Sequence, residues 1–262
     1  MKSIIIMFAM TVLSFTSFAQ PNKKTKTIIL VHGAWSDASA WQAVTPLLKA
    51  EGHEVIEVNL AGHGSDTTSF ANINLNLYVE SVKTAIGNRK NVILVGHSMA
   101  GLVISQVAEE IPGQIQKLIY LAAYLPQNGE SLLALANTDA DSHVSKYLQI
   151  DEKNGSAAIA KAGVTDVFAA DAPAEVATYI ADHIQPEPLA PLATPVKLTA
   201  ANFGKVSKVY IYTVNDHTVG PKLQHIMVEK ARVSKTYSLE SSHTPFVSMP
   251  GKVADIIIKE SK

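Results

Sequence analysis

Short apolar runs alternate along the chain with longer stretches of helical period. Thr27–His32 (TIILVH), Glu54–Leu60 (EVIEVNL), Asn91–Gly96 (NVILVG), Gln116–Ala122 (QKLIYLA), Lys208–Val214 (KVYIYTV) and Ser234–Glu240 (SKTYSLE) have strand length. Most are β-branched and almost continuously apolar, the pattern of strands covered on both faces. Between them, Ala40–Ala50, Ile73–Ile86, Leu102–Glu110 and Pro221–Ala231 carry helix-like spacing. Strand and helix in alternation predict an α/β architecture: a mostly parallel six-stranded sheet flanked by helices, with right-handed crossovers. Ligands then gather at the carboxyl ends of the strands.

From Pro126 to Pro195 the rhythm breaks, with much Ala, scattered Pro and no strong strand signal. So long an interval inside one domain is usually a functional insertion. It reads as a mostly helical cap over about residues 126–195; a peripheral subdomain away from any site is the plainer alternative.

At the other extreme, MKSIIIMFAMTVLSFTSFAQ sets Lys2 before an apolar stretch from Ile4 to about Phe18, then Ser17-Phe18-Ala19. This is the pattern of a secretory signal peptide, residues 1–19, cleaved after Ala19. The run is shorter than the about 20 residues that span a bilayer and is diluted by Thr11, Ser14, Thr16 and Ser17, which argues against a retained anchor. The expectation is an exported protein, periplasmic or secreted, with residues 20–262 as one domain and no stable membrane insertion. The chain has no cysteine, so thiol catalysis, thiolate metal sites and disulfides all drop out. Its net charge of −1 gives no electrostatic footprint for nucleic acid.

The chemistry lies at the strand ends. After Val92-Ile-Leu-Val95 the chain reads Gly96-His-Ser98-Met-Ala100-Gly101, then turns apolar and helical. A sharp strand-to-helix turn lifts its apical residue above the sheet in a strained conformation, and its neighbours must be small. Gly-x-Ser-x-Gly fits that turn, with Ala100 in the second glycine position. A serine hydroxyl needs a general base and an acid to orient that base, arriving in the order Ser, acid, His after successive strands. Asp216 follows KVYIYTVN and His243 follows SKTYSLESS, so Ser98, Asp216 and His243 form the candidate triad. The backbone N–H groups of Met99 and of Ala34, in the loop after the first strand, are the candidate oxyanion-hole donors.

Other signals read as structural. Gly62-His63-Gly64-Ser65-Asp66 is a glycine turn with an Asp or Ser bonding local backbone, and Asp66 is the reserve acid. His97 points into packing, and His217 faces solvent. His143, His183 and His225 lack ligand spacing, so no metal and no cofactor are expected. Trp35, Trp41, Tyr124 and Phe246 are pocket candidates that fit the core equally well.

These motifs together resemble the α/β-hydrolase superfamily, specifically plant methylesterases, hydroxynitrile lyases and their bacterial esterase relatives. LVHGAWSDASAW resembles the first-strand loop, VILVGHSMAGLV and LIYLAAYLP the elbow and next strand. PVKLTAANFGKVSKVYIYTVNDHTVGPKLQHIM resembles the segment bearing the acid, and SSHTPFVSMP the one bearing the histidine. The resemblance implies an α/β-hydrolase fold, the same triad and the same oxyanion donors. In the related lyases a Thr stands where Gly33 is found and a Lys follows the catalytic His; here that residue is Thr244. The implied activity is hydrolysis of a small or medium carboxylic ester by a serine esterase. A lyase on the same scaffold, and a ligand-binding protein with a retained triad, are the other readings.

Overall fold

The computed structural model describes residues 25–262; the expected leader, residues 1–19, lies outside the described residues. The six apolar runs become β1 (Thr27–Val31), β2 (Glu54–Val58), β3 (Val92–His97), β4 (Ile115–Leu121), β8 (Ser207–Thr213) and β9 (Lys235–Leu239). Three shorter strands, β5 (Leu148–Asp151), β6 (Ser156–Ile159) and β7 (Glu187–Pro188), intervene. The main sheet has the order β2-β1-β3-β4-β8-β9, and every pair is parallel. Successive strands leave β1 in opposite directions, so the order reverses between β1 and β3. That switch point opens a crevice at the carboxyl ends of those two strands, where ligands bind in such sheets.

The near-continuous hydrophobicity of the central strands follows from two cores, one per face. Ile29, Val31, Val92 and Leu94 pack into one; Ile28, Leu30, Ile93 and Val95 pack into the other. Each of these side chains is fully removed from solvent, which contributes roughly 1.5–3 kcal/mol apiece.

Helices form close to the expected segments: Thr45–Ala50 after a 3₁₀ turn at Ala38–Trp41, then Leu75–Ile86, Ala100–Glu110 and Pro221–Lys230. A further helix, Pro250–Glu260, packs Val253, Ala254 and Ile257 on the second core, with proline at its first position, where the missing N–H costs no bond. Among the described residues no helix is long and apolar enough to cross a membrane.

The interval 126–195 carries several short helices, as expected of it, and in addition β5, β6 and β7 pair antiparallel into a small second sheet that was not expected. Their residues gave little warning, since β6 is SAAI and β7 is only Glu-Pro.

Candidate active site

Ser98 is in the left-handed region, with φ of 54°. Its backbone is tied on every side, which is what holds a strained residue in place. The N–H donates to the Leu121 carbonyl at 3.3 Å, and the carbonyl accepts from Gly101 and Tyr124, each at 3.1 Å. The small flanking residues have specific reasons. A Cβ on Gly96 would lie 3.0 Å from the Ala100 carbonyl oxygen, and one on Gly101 would lie 1.9 Å from that of Tyr124. Ala100 departs from glycine without strain, because it starts the helix and is not among the positive-φ residues.

The carboxyl ends of β8 and β9 deliver the other two candidates to the same edge. His243 Nδ1 lies 2.8 Å from Asp216 Oδ2, and both residues are buried. Asp216 is saturated: Oδ1 accepts from the backbone of Thr218 (2.7 Å) and Val219 (2.9 Å), and Oδ2 accepts from Thr213 Oγ1 (2.7 Å) and Gln224 Nε2 (3.3 Å). A carboxylate so held can fix one imidazole tautomer, with Nδ1 as donor. His243 Nε2 is then the acceptor, and it is buried without a hydrogen-bond partner among the described residues. Ser98 Oγ makes no hydrogen bond to it in this structure. Asp66, the reserve acid, instead accepts from Gly62 and Thr68 N–H, the local turn role expected of it.

Cap residues brace the histidine loop. Thr244 Oγ1 donates to the Phe168 carbonyl at 2.7 Å, and Ser242 Oγ bonds Asp171. His97 packs inward as expected: its ring centroid is 4.5 Å from that of His243, and its Nε2 lies 2.9 Å from the His243 carbonyl.

The β1 loop is fixed from behind by a buried polar network that has no local sequence signature. His32 Nδ1 donates to the Gly33 carbonyl (2.8 Å), and its Nε2 accepts from Leu60 N–H (3.1 Å), so the ring is neutral. Trp35 has φ of 61°, and its N–H donates to Glu187 Oε2 at 3.0 Å. The same fully buried carboxylate accepts from His63 Nε2 (2.9 Å) and Tyr78 Oη (2.6 Å). His63 Nδ1 faces the Ala61 carbonyl at 3.1 Å, so both ring nitrogens meet acceptors. Burial works against a charged His63, but the hydrogen bond and charge of Glu187 outweigh it and raise its pKa. The turn expected at His63 is therefore also an ion pair to β7, and the same Glu187 holds the loop that carries Ala34 through Trp35 N–H. Among the described residues neither Ala34 N–H nor Met99 N–H is used in a hydrogen bond to the protein, leaving both available to a ligand.

A cavity of about 180 Å³ adjoins these groups, lined by Ala34, Trp35, Phe168, Ile180, His243 and Phe246 among others. Trp35 and Phe246 thus serve the cavity, whereas Trp41 and Tyr124 belong to the core. Among the described residues, Asp37 is the one ionic side chain other than histidine on its wall, with no Lys or Arg.

His217 does not simply face solvent as expected, and His143, which lacks ligand spacing in the sequence, meets it in the fold: both imidazoles converge on Asp166.

Buried neutral histidines make stability sensitive to acid. Burial, then the nearby His63 charge, lowers His32 to about 3, and burial, then His243, lowers His97 well below its usual value. Below about pH 6.5 the unfolded chain gains protons that these two native rings refuse, so stability falls as pH drops. His63 acts oppositely, its contribution being complete below about pH 6.5 and lost as pH rises through its elevated native value. Two groups outweigh one: the urea midpoint is expected to fall between pH 6.5 and 5, before most carboxylates titrate. A flat midpoint across that window contradicts this account.

The sequence of residues 28–256 matches the model of the alpha/beta hydrolase family. The chain belongs to that family. It is 30% identical over 251 residues to the candidate chloroplastic methylesterase 11 of Arabidopsis thaliana, covering 90% of this chain but 64% of that protein. The chain thus spans under two thirds of the length of that relative. It is 29% identical over 240 residues to a pyrethroid hydrolase of Sphingobium wenxiniae, covering 88% of this chain and 85% of that protein. The crystal structure of a pyrethroid hydrolase from Sphingobium faniae superposes with a TM-score of 0.79 at 25% identity, covering 91% of this chain and 98% of that one.

Proposed function

We propose that this alpha/beta hydrolase is a serine esterase that cleaves a neutral, small or medium carboxylic ester through an acyl-enzyme. The carrying observation is His243: Nδ1 bonded to Asp216, Nε2 buried without a partner, on the sheet edge where strained Ser98 stands. Ser98 Oγ attacks the ester carbonyl while His243 Nε2 takes its proton. The Ala34 and Met99 N–H groups receive the developing oxyanion, each such donor contributing about 3 kcal/mol in comparable sites. His243 then gives its proton to the departing alkoxide. Water, deprotonated by the same nitrogen, releases the acid. Asp216 stabilises the imidazolium without gaining a proton.

The cavity supports a neutral substrate, because among the described residues its wall offers no Lys or Arg to an anionic group. Names of relatives that include a methylesterase and a pyrethroid hydrolase support ester cleavage. Lyase chemistry finds less support: the Thr244 hydroxyl is spent on the Phe168 carbonyl, and a side chain at Gly33 would meet Ser98 Cβ at 2.8 Å. The leader-like N-terminus supports an exported enzyme.

The test is hydrolysis of p-nitrophenyl esters of increasing acyl length beside cyanide release from mandelonitrile. Steady turnover of short and medium esters with no cyanide release is expected. Ligand binding without turnover, or cyanide release, overturns the proposal.

A further inference from the structure

On the flank of the acid loop, His143, Asp166 and His217 come together from places 23 and 51 residues apart. His143 Nδ1 lies 3.0 Å from both Asp166 carboxylate oxygens, and His217 Nδ1 lies 2.9 Å from Oδ1. The two rings face each other with centroids 4.2 Å apart, held by a 2.7 Å bond from His143 N–H to the His217 carbonyl. Each residue offers one ligand atom, and all three atoms lie within 4.8 Å of one another. We propose that these residues form a site for a borderline divalent cation of the zinc type, and that the ion clamps the cap to the loop carrying Asp216.

Geometry and donor chemistry agree on this class of ion. Zinc bonds of about 2.0–2.1 Å at tetrahedral angles put neighbouring ligand atoms roughly 3.3 Å apart. The two nitrogen–carboxylate separations, 3.0 and 2.9 Å, need to open by only a few tenths of an ångström. Two imidazoles and one carboxylate suit zinc, cobalt or nickel, whereas calcium and magnesium call for oxygen donors. For Nδ1 to ligate, each ring proton moves to Nε2, with no net change of charge on the imidazoles. Tyr147 hydrogen-bonds Asp166, the kind of outer partner that orients a ligating carboxylate. All three side chains are partly open to solvent, at 28%, 32% and 37%, so an ion can enter and water can complete its shell.

The position gives the ion a consequence. His143 and Asp166 belong to the interval 126–195, and His217 follows Asp216 directly. An ion here ties the two without touching the reacting groups, so the proposal stands whether or not the chain hydrolyses esters.

The test is calorimetric titration of the untagged protein with ZnCl₂, together with visible absorption after loading with CoCl₂. One zinc ion per chain, a raised melting temperature and cobalt bands of low-symmetry nitrogen and oxygen ligation are expected. Asp166→Asn should weaken binding at least tenfold, and His143→Ala/His217→Ala should remove it. His225→Ala, at an exposed histidine elsewhere, should leave it unchanged. Absence of saturable zinc binding by the wild-type protein, or wild-type affinity in the double variant, overturns the site. The cobalt spectrum keeps the test decisive should a variant fail to fold.

Discussion

Replacing Ser98 by alanine is expected to lower kcat for a p-nitrophenyl ester by at least about 10⁴-fold, while the protein still folds and binds ligand. On the proposed mechanism, removing the hydroxyl deletes the nucleophile, leaving only oxyanion stabilisation and substrate positioning. The backbone bonds at residue 98 are main-chain bonds, so alanine retains them. His243→Ala should cost a similar factor, and the double variant little more, because residues of one catalytic unit are not additive. Steady-state hydrolysis and thermal denaturation of the three variants supply the check. Retention of a tenth of wild-type turnover by Ser98→Ala would remove this serine from the mechanism.

The features that were legible in the sequence are those with a local physical cause. Ile28–Val31 and Val92–Val95 are covered on both faces, so their hydrophobicity is continuous and the strands announce themselves. Ser98 and Asp216 follow such strands, His243 follows the more exposed edge strand β9, and parallel pairing brings all three to one edge. The small cap sheet has no comparable signal: β7 joins β6 only through the pairs Ser156–Pro188 and Ala157–Glu187. Glu187 lies in Gln-Pro-Glu-Pro, which reads as a loop, and its partner Trp35 is 152 residues away. The convergence of His143, Asp166 and His217 is equally invisible, because it depends on how the cap settles against the acid loop. In this chain, local periodicity reports the sheet and its edge, whereas the polar contacts bracing that edge arise from tertiary structure.

Those contacts are expected to matter most at Glu187. Its carboxylate is fully buried and bonded to Trp35 N–H, His63 and Tyr78. Glu187→Ala would leave a buried imidazole with no counter-charge and strand two further donors, a change that typically costs about 3–5 kcal/mol. In a domain of this size, each kcal/mol lowers the melting temperature by about 2–4 °C, so a fall on the order of 10 °C is expected. Glu187→Gln keeps one acceptor and should lose less. Trp35 is the residue after Ala34, so loosening it should also misaim the Ala34 N–H and reduce kcat more than it raises KM. If the ion pair is the main coupling, His63→Leu/Glu187→Leu should be less destabilised than the sum of the single changes, since neither charge is then left alone. Urea denaturation of the four-member cycle measures that coupling. A Glu187→Ala protein as stable as wild type, or strictly additive leucine variants, would mean that apolar packing alone holds the cap against the β1 loop.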